Sequence, residues 1–324
     1  MQPLQCGSVT GWLLALLSPW AFAQPAATST SSAFPVKSIR VIVPFGPGGP
    51  SDYLVRSVGI KLAESWGQQL LVDNRTGANG VVGVELAARA APDGYTLHLN
   101  GSALWLLPFM RSRLPYEPLR DFAPVTLALA TPNILVVHPS LPVKSVRELV
   151  ALAKAKPGDL NYASGNAGTS NHLAAELFKS MAGVNLTRIP YKGGAPAISD
   201  LVGGQVQLMF GASLAVAQHV QSGRLRALAV TSAKPSALAP GLPTVAEAGV
   251  PGYASVAIFG VLAPAKTPPA LIERLNREIV KVLQTTEVKE RLFNAGSEVV
   301  ASSADAFGAA IKSEMTTLGK LIKD

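Results

Sequence analysis

The chain has 324 residues, 48% of them hydrophobic and only 15% charged, which suits a large buried core arranged in two lobes and excludes a disordered chain. Its formal net charge is +8. The basic residues are scattered singly, as in Lys37, Arg40, Arg56, Lys61 and Arg75, with no dense cluster among aromatics, so acidic partners are favoured and nucleic acid is excluded.

At the N-terminus, Trp12–Leu17 is an apolar run followed by Ala21-Phe22-Ala23, the A-x-A form of a signal-peptidase site. This predicts a signal peptide over 1–23 with cleavage after Ala23, although no Lys or Arg precedes the apolar run. The run is too short to span a bilayer. Residues 24–33 read as a flexible Ser/Thr/Ala linker. The one cysteine, Cys6, lies in the leader ahead of the apolar run, so lipidation, disulfides and thiol chemistry are not expected. A cysteine-free mature chain suits an oxidising compartment such as a periplasm.

Beyond the linker, strand-like and helix-like runs alternate. Ile39–Val43 reads as a buried strand ended by Pro44, and Asp52 as the cap of a helix running to about Trp66. Leu70–Val72 is the next strand, 74–80 a loop, 81–91 a helix and Tyr95–Leu99 a strand. Ile134–Val137 is a strand near the first crossing between lobes. Ser145 to Glu148 has the capping-box spacing and opens a helix to about Lys154. The strand Asn161–Ala163 leads to a helix over 170–181, and Ile189-Pro190-Tyr191 to a turn and a helix ending at Val202. Strands follow at 206–210, 225–230 and 258–262, then helices at 268–283, 287–295 and from Ala304 to about Ile322. Repeated strand-turn-helix order implies parallel strands flanked by helices.

Two glycine-rich turns dominate the functional reading. Pro44 to Asp52 contains Gly46, Gly48 and Gly49, and Tyr162 to Ser170 contains Ser164, Gly165, Gly168 and Thr169. Each joins a strand to a helix start, where first-turn N–H groups lack intrahelical partners and the helix dipole adds positive charge. That is an anion site, and hydroxyls at Ser164, Thr169 and Ser170 add donors. Each turn could equally be a plain connection, with Thr169 or Ser170 simply capping. His172 reads first as a packing residue, and Asp200 as a partner between elements. The first turn lacks both the Walker pattern and the dinucleotide fingerprint. Gly211-Ala212-Ser213-Leu214-Ala215 is only part of a nucleophile elbow, and the four histidines form no metal-type pair.

These residues resemble a known family. The segments 43–52, 73–80 and 92–97 match its first lobe, 160–165, 168–173 and 190–197 its second, and 242–249 completes the set. The whole mature chain looks like a periplasmic solute receptor of the tripartite tricarboxylate transporter family, the Bug-type receptors. The resemblance implies an α/β, two-lobe Venus-flytrap fold, each lobe a mainly parallel sheet flanked by helices. Lobe 1 would comprise 34–135 and 258–300, lobe 2 136–257, and a C-terminal helix 301–324. It implies ligand contacts from Phe45, Gly48, Gly49, Asp52 and Asn79 on one side and Ser164, Gly168, Thr169 and Ser170 on the other, with Gly193, Gly194 and Ala195 closing the pocket. Gly46 stands where the family has proline. The expected protein is a periplasmic monomer that binds an organic acid or amino acid, hands it to membrane permease subunits, uses no cofactor or metal and catalyses nothing. The alternatives are a transferase or hydrolase on the same scaffold, or a ligand-sensing subunit of a signalling system.

Overall fold

A computed structural model of the chain describes residues 34–47, 50–165, 168–191 and 193–323. The expected signal peptide, its cleavage at Ala23, the linker, Gly48 and Gly49 lie outside the described residues. Three parallel strands start the fold: β1 (Ile39–Val43), β2 (Leu70–Asn74) and β3 (Thr96–Gly101), with β1 in the middle. They are short apolar runs, and β1 is buried along almost its whole length, as expected of strands covered on both faces. Helices α1 (Pro50–Trp66), α2 (Val81–Ala88), α3 (Ala103–Met110) and the single turn α4 (Pro118–Asp121) complete the first stretch. The first helix begins at Pro50, so Asp52 sits in its first turn and is not the expected cap.

The organising element is β4, a 16-residue strand from Phe122 to Val137. Its first part pairs antiparallel with β9 (Val256–Pro264) and with the short β10 (Glu298–Val299). From Asn133 onward it pairs instead with β7 (Leu208–Ala212) and β8 (Arg226–Val230). One strand therefore serves two sheet regions. In the second, β7 continues to β5 (Asn161–Ser164) and β6 (Thr187–Pro190), both parallel pairings. The path across the ten-stranded sheet runs β2-β1-β3-β9-β4-β7-β5-β6.

Helices α5 (Val146–Ala155), α6 (Ser170–Ala182), α7 (Gly194–Val202), α8 (Ser213–Gln221) and α9 (Val245–Ala248) belong to the second stretch. Ser145 caps α5 by accepting the Glu148 N–H, but Glu148 reaches back to the Lys144 N–H and not to Ser145. Phe178 of α6 packs against Phe210 and, edge-on, against Tyr253, with ring centroids 5.6 and 6.3 Å apart. Helices α10 (Pro269–Leu283), α11 (Thr286–Asn294) and α12 (Ala304–Lys323) end the chain. Phe307 of α12 packs edge-on to Trp105 of α3, with ring centroids 5.9 Å apart. Both rings are fully buried, which fastens the last helix to the first stretch.

Candidate functional site

The turn after β1 is braced from two sides. Asn74 at the end of β2 donates its side-chain amide to the Phe45 carbonyl at 2.9 Å and to Asp52 at 3.1 Å. Arg56 donates to the other Asp52 oxygen at 2.9 Å. With Asp52 only 3% exposed, its carboxylate serves as an internal brace for the turn. Next to it, Gly77, Ala78, Asn79 and Gly80 all hold positive φ, two of them without being glycine. Such backbone is costly and persists where the surroundings enforce it. Here α2 packs so closely that a Cβ on Gly83 would lie 2.7 Å from the Arg75 carbonyl and 3.1 Å from Pro44.

A cleft of about 780 Å³ opens beside these segments. Phe45, Gly46 and Ser51 line it from the first turn, and Thr76, Asn79 and Gly80 from the left-handed loop. Gly101, Ser102 and Ala103 add the start of α3. Gly168, Thr169 and Ser170 line the same cleft from the start of α6. Two distant turns recognised in the sequence thus meet at one cavity. Helices α2, α3 and α6 all begin there with no side-chain cap hydrogen bond, from Gly80, Ser102 and Thr169 respectively. Ser51, in the first turn of α1, is 2% exposed and its hydroxyl has no hydrogen-bond partner among the described residues. Among the described residues, the lining includes no Lys, Arg, His, Asp or Glu. Positive helix ends and first-turn donors beside a cavity without ionisable side chains among its described residues have the chemistry to attract an anion.

Behind the second turn lies a polar cluster that shapes it. The Thr169 hydroxyl donates to Asn171 Oδ1 at 2.6 Å, and the Gly165 N–H reaches the same oxygen. The Gly168 N–H donates to His172 Nδ1 at 3.2 Å, so one backbone donor expected to be free is already taken. Burial, reinforced by Arg188, lowers the His172 pKa and favours the neutral ring that can accept this bond. Burial works against the Glu176 carboxylate, but the Tyr162 hydroxyl and Lys179 ammonium outweigh it and hold its pKa below the usual range.

Ser164 is fully buried and does not line the cleft; its hydroxyl accepts from Arg188 Nε at 2.8 Å. Gly193, Gly194 and Ala195 open α7 and are absent from the lining, as is Asp52. Asp200 accepts the Tyr191 hydroxyl at 2.8 Å, an inter-element contact as the sequence suggests. The Ser213 hydroxyl of the partial elbow is buried and donates to the Pro132 carbonyl at 2.9 Å, which gives it a structural task. Among the described residues, no group of three His, Cys, Asp or Glu could hold a metal ion, and no helix is long and apolar enough to cross a membrane.

The sequence reading missed α3, whose residues Leu106, Leu107 and Met110 form part of the wall, and Leu318 of α12. The run Ala-Leu-Trp-Leu-Leu-Pro-Phe-Met is apolar all round and carries no amphipathic signal.

Comparison with known proteins places these features. The pattern described as "Tripartite tricarboxylate transporter family receptor" matches residues 54–324. Protein BugT of Bordetella pertussis is 38% identical over 302 residues, covering 92% of this chain and 92% of BugT. An R. palustris protein solved with adipate is 35% identical, with a TM-score of 0.74 over 90% of this chain and 97% of that one. The periplasmic binding protein BugD is 32% identical, with a TM-score of 0.70 over 90% of this chain and 98% of its own.

Proposed function

The chain belongs to the tripartite tricarboxylate transporter receptor family, and from that premise we propose that its cleft captures a small carboxylate-bearing metabolite for a membrane permease. It is a solute-binding receptor and not an enzyme. The observation that carries the ligand reading is the convergence of helix starts without side-chain caps and the Ser51 hydroxyl on a cavity whose described lining holds no ionisable side chain. A carboxylate placed there meets amide hydrogens and hydroxyls in place of water.

Capture proceeds by closure of two lobes, residues 34–135 with 258–300 against 136–257. Closure carries the Gly193–Ala195 turn toward the ligand and completes the contacts of Gly48 and Gly49. The leader exports the protein to the periplasm, where it acts as a monomer and presents its closed form to the permease subunits. A thermal-shift screen of organic acids and amino acids tests the reading. A cognate acid raises the melting temperature, because it binds only the folded state. If no acid in a broad panel shifts it, the assignment fails.

A further inference from the structure

The receptor reading leaves the ligand's body unspecified, and the cleft walls speak to it. Ala103, Leu106, Leu107 and Met110 recur at helical spacing, so one face of α3 lines the cavity with hydrocarbon. Leu173 of α6 and Ile258 and Phe259 of β9 extend the apolar wall. Met110 lies directly against the second turn: a Cβ on Gly168 would come within 2.9 Å of its Cε. The apolar wall and the anion-binding helix starts therefore adjoin in one cavity of about 780 Å³, large enough to hold a ring.

Among the described lining residues there is no ionisable side chain. A second carboxylate would lose its water against Leu, Met and Phe, with no cation among the described lining residues to offset the loss. A ring, in contrast, gains from every contact with that wall. The Ser51 hydroxyl and the helix starts supply the partners one acid group needs, without demanding a second.

Resting on the receptor reading, we propose that the preferred ligand is a monocarboxylate with an apolar ring, its acid group on the helix starts and its ring against Leu107, Met110 and Phe259. Titration calorimetry of the purified receptor with benzoate, cyclohexanecarboxylate, malate, adipate and citrate tests this. Benzoate or cyclohexanecarboxylate is expected to bind at least tenfold more tightly than malate and citrate. In Met110→Lys, ring-acid affinity falls at least tenfold and dicarboxylate affinity rises. Met110→Gln, which adds polarity without charge, weakens the ring acids alone and serves if the lysine variant does not fold. Tighter binding of malate, adipate or citrate by the unaltered protein would overturn the ring-acid class while leaving the receptor reading intact. Failure of any acid to bind would overturn both.

Discussion

Asn133 and Thr231 exchange two hydrogen bonds, the Asn133 N–H donating to Thr231 Oγ1 at 2.8 Å and the Thr231 N–H to the Asn133 carbonyl at 2.9 Å. The Thr231 carbonyl also accepts the Ser255 N–H at 2.8 Å. Both passages of the chain between the sheet regions, within β4 and just ahead of β9, are thereby held at one buried residue. Thr231→Val keeps the shape but leaves the Asn133 N–H without its acceptor. We expect a loss of ~1–3 kcal/mol, read as a lower urea midpoint at unchanged slope. An unaltered midpoint would show that this stitch contributes nothing.

Arg188 fastens the second turn with a fork, Nε on Ser164 Oγ and Nη2 on the Gly165 carbonyl, each at 2.8 Å. Arg188→Met removes both bonds and the positive charge beneath the turn. The melting temperature and the affinity for the cognate acid should both fall, the latter by about tenfold. Arg188→Lys restores the charge but not the planar fork, so it should recover only part of the affinity. Equal affinity in all three proteins would remove Arg188 from any role in positioning.

Thr169 lines the cleft with its hydroxyl turned to Asn171 and no capping bond. Thr169→Ala should therefore weaken acid binding several-fold and leave the fold intact. Calorimetry with unchanged affinity would rule out a contact from this hydroxyl.

Two buried groups give stability opposite pH slopes. Burial holds His98 at a pKa of about 4, below its ordinary 6.5, with Asn100 and the Ile42 carbonyl as its partners. Unfolding takes up a proton there, so this contribution is full above about pH 6.5 and is lost as the pH falls toward 4. Burial raises Glu314 to about 6 despite the bond from Trp105, so its contribution is full below about 4.5 and is lost as the pH rises through 6. Glu314→Gln should then make the protein more stable at pH 7 by roughly 1–2 kcal/mol and steepen the decline between pH 6 and 4.5. Identical melting curves for the two proteins across that range would refute the assignment.

At Gly260 of β9, an added Cβ would stand 2.2 Å from the Phe307 ring and 2.7 Å from the Thr126 carbonyl. Neither backbone nor a fully buried ring can yield cheaply. Gly260→Ala should cost ~3 kcal/mol or more through overpacking, measured by chemical denaturation. A cost below ~1 kcal/mol would mean that α12 can lift away without penalty.

The sequence made the strand-turn-helix units legible because apolar runs end at Pro44 and at the 165–168 turn, where backbone chemistry announces a change of direction. It showed only the end of β4, at Ile134–Val137, and concealed the rest, since Pro124 and Pro132 interrupt the apolar pattern; the structure absorbs Pro124 at a shift of register against β9. It also concealed α3, which is apolar on every side. In the site, Phe45, Asn79, Gly168, Thr169 and Ser170 are all brought to the cleft. Ser164 and Asp52 look equally exposed to a reader of local motifs. Their true partners, Arg188 and Asn74, stand 24 and 22 residues away, and only the pairing of β5 with β6 and of β1 with β2 reveals them.

The described lining of the cleft, without ionisable side chains, separates arrival from residence. A molecule of net charge +8 draws anions from a distance through a field that dissolved salt attenuates. On the proposed reading, a seated guest would be held by peptide dipoles and hydrocarbon, which ionic strength barely touches. Raising salt should slow the on-rate and spare the off-rate, so the dwell time stays constant between dilute and concentrated surroundings.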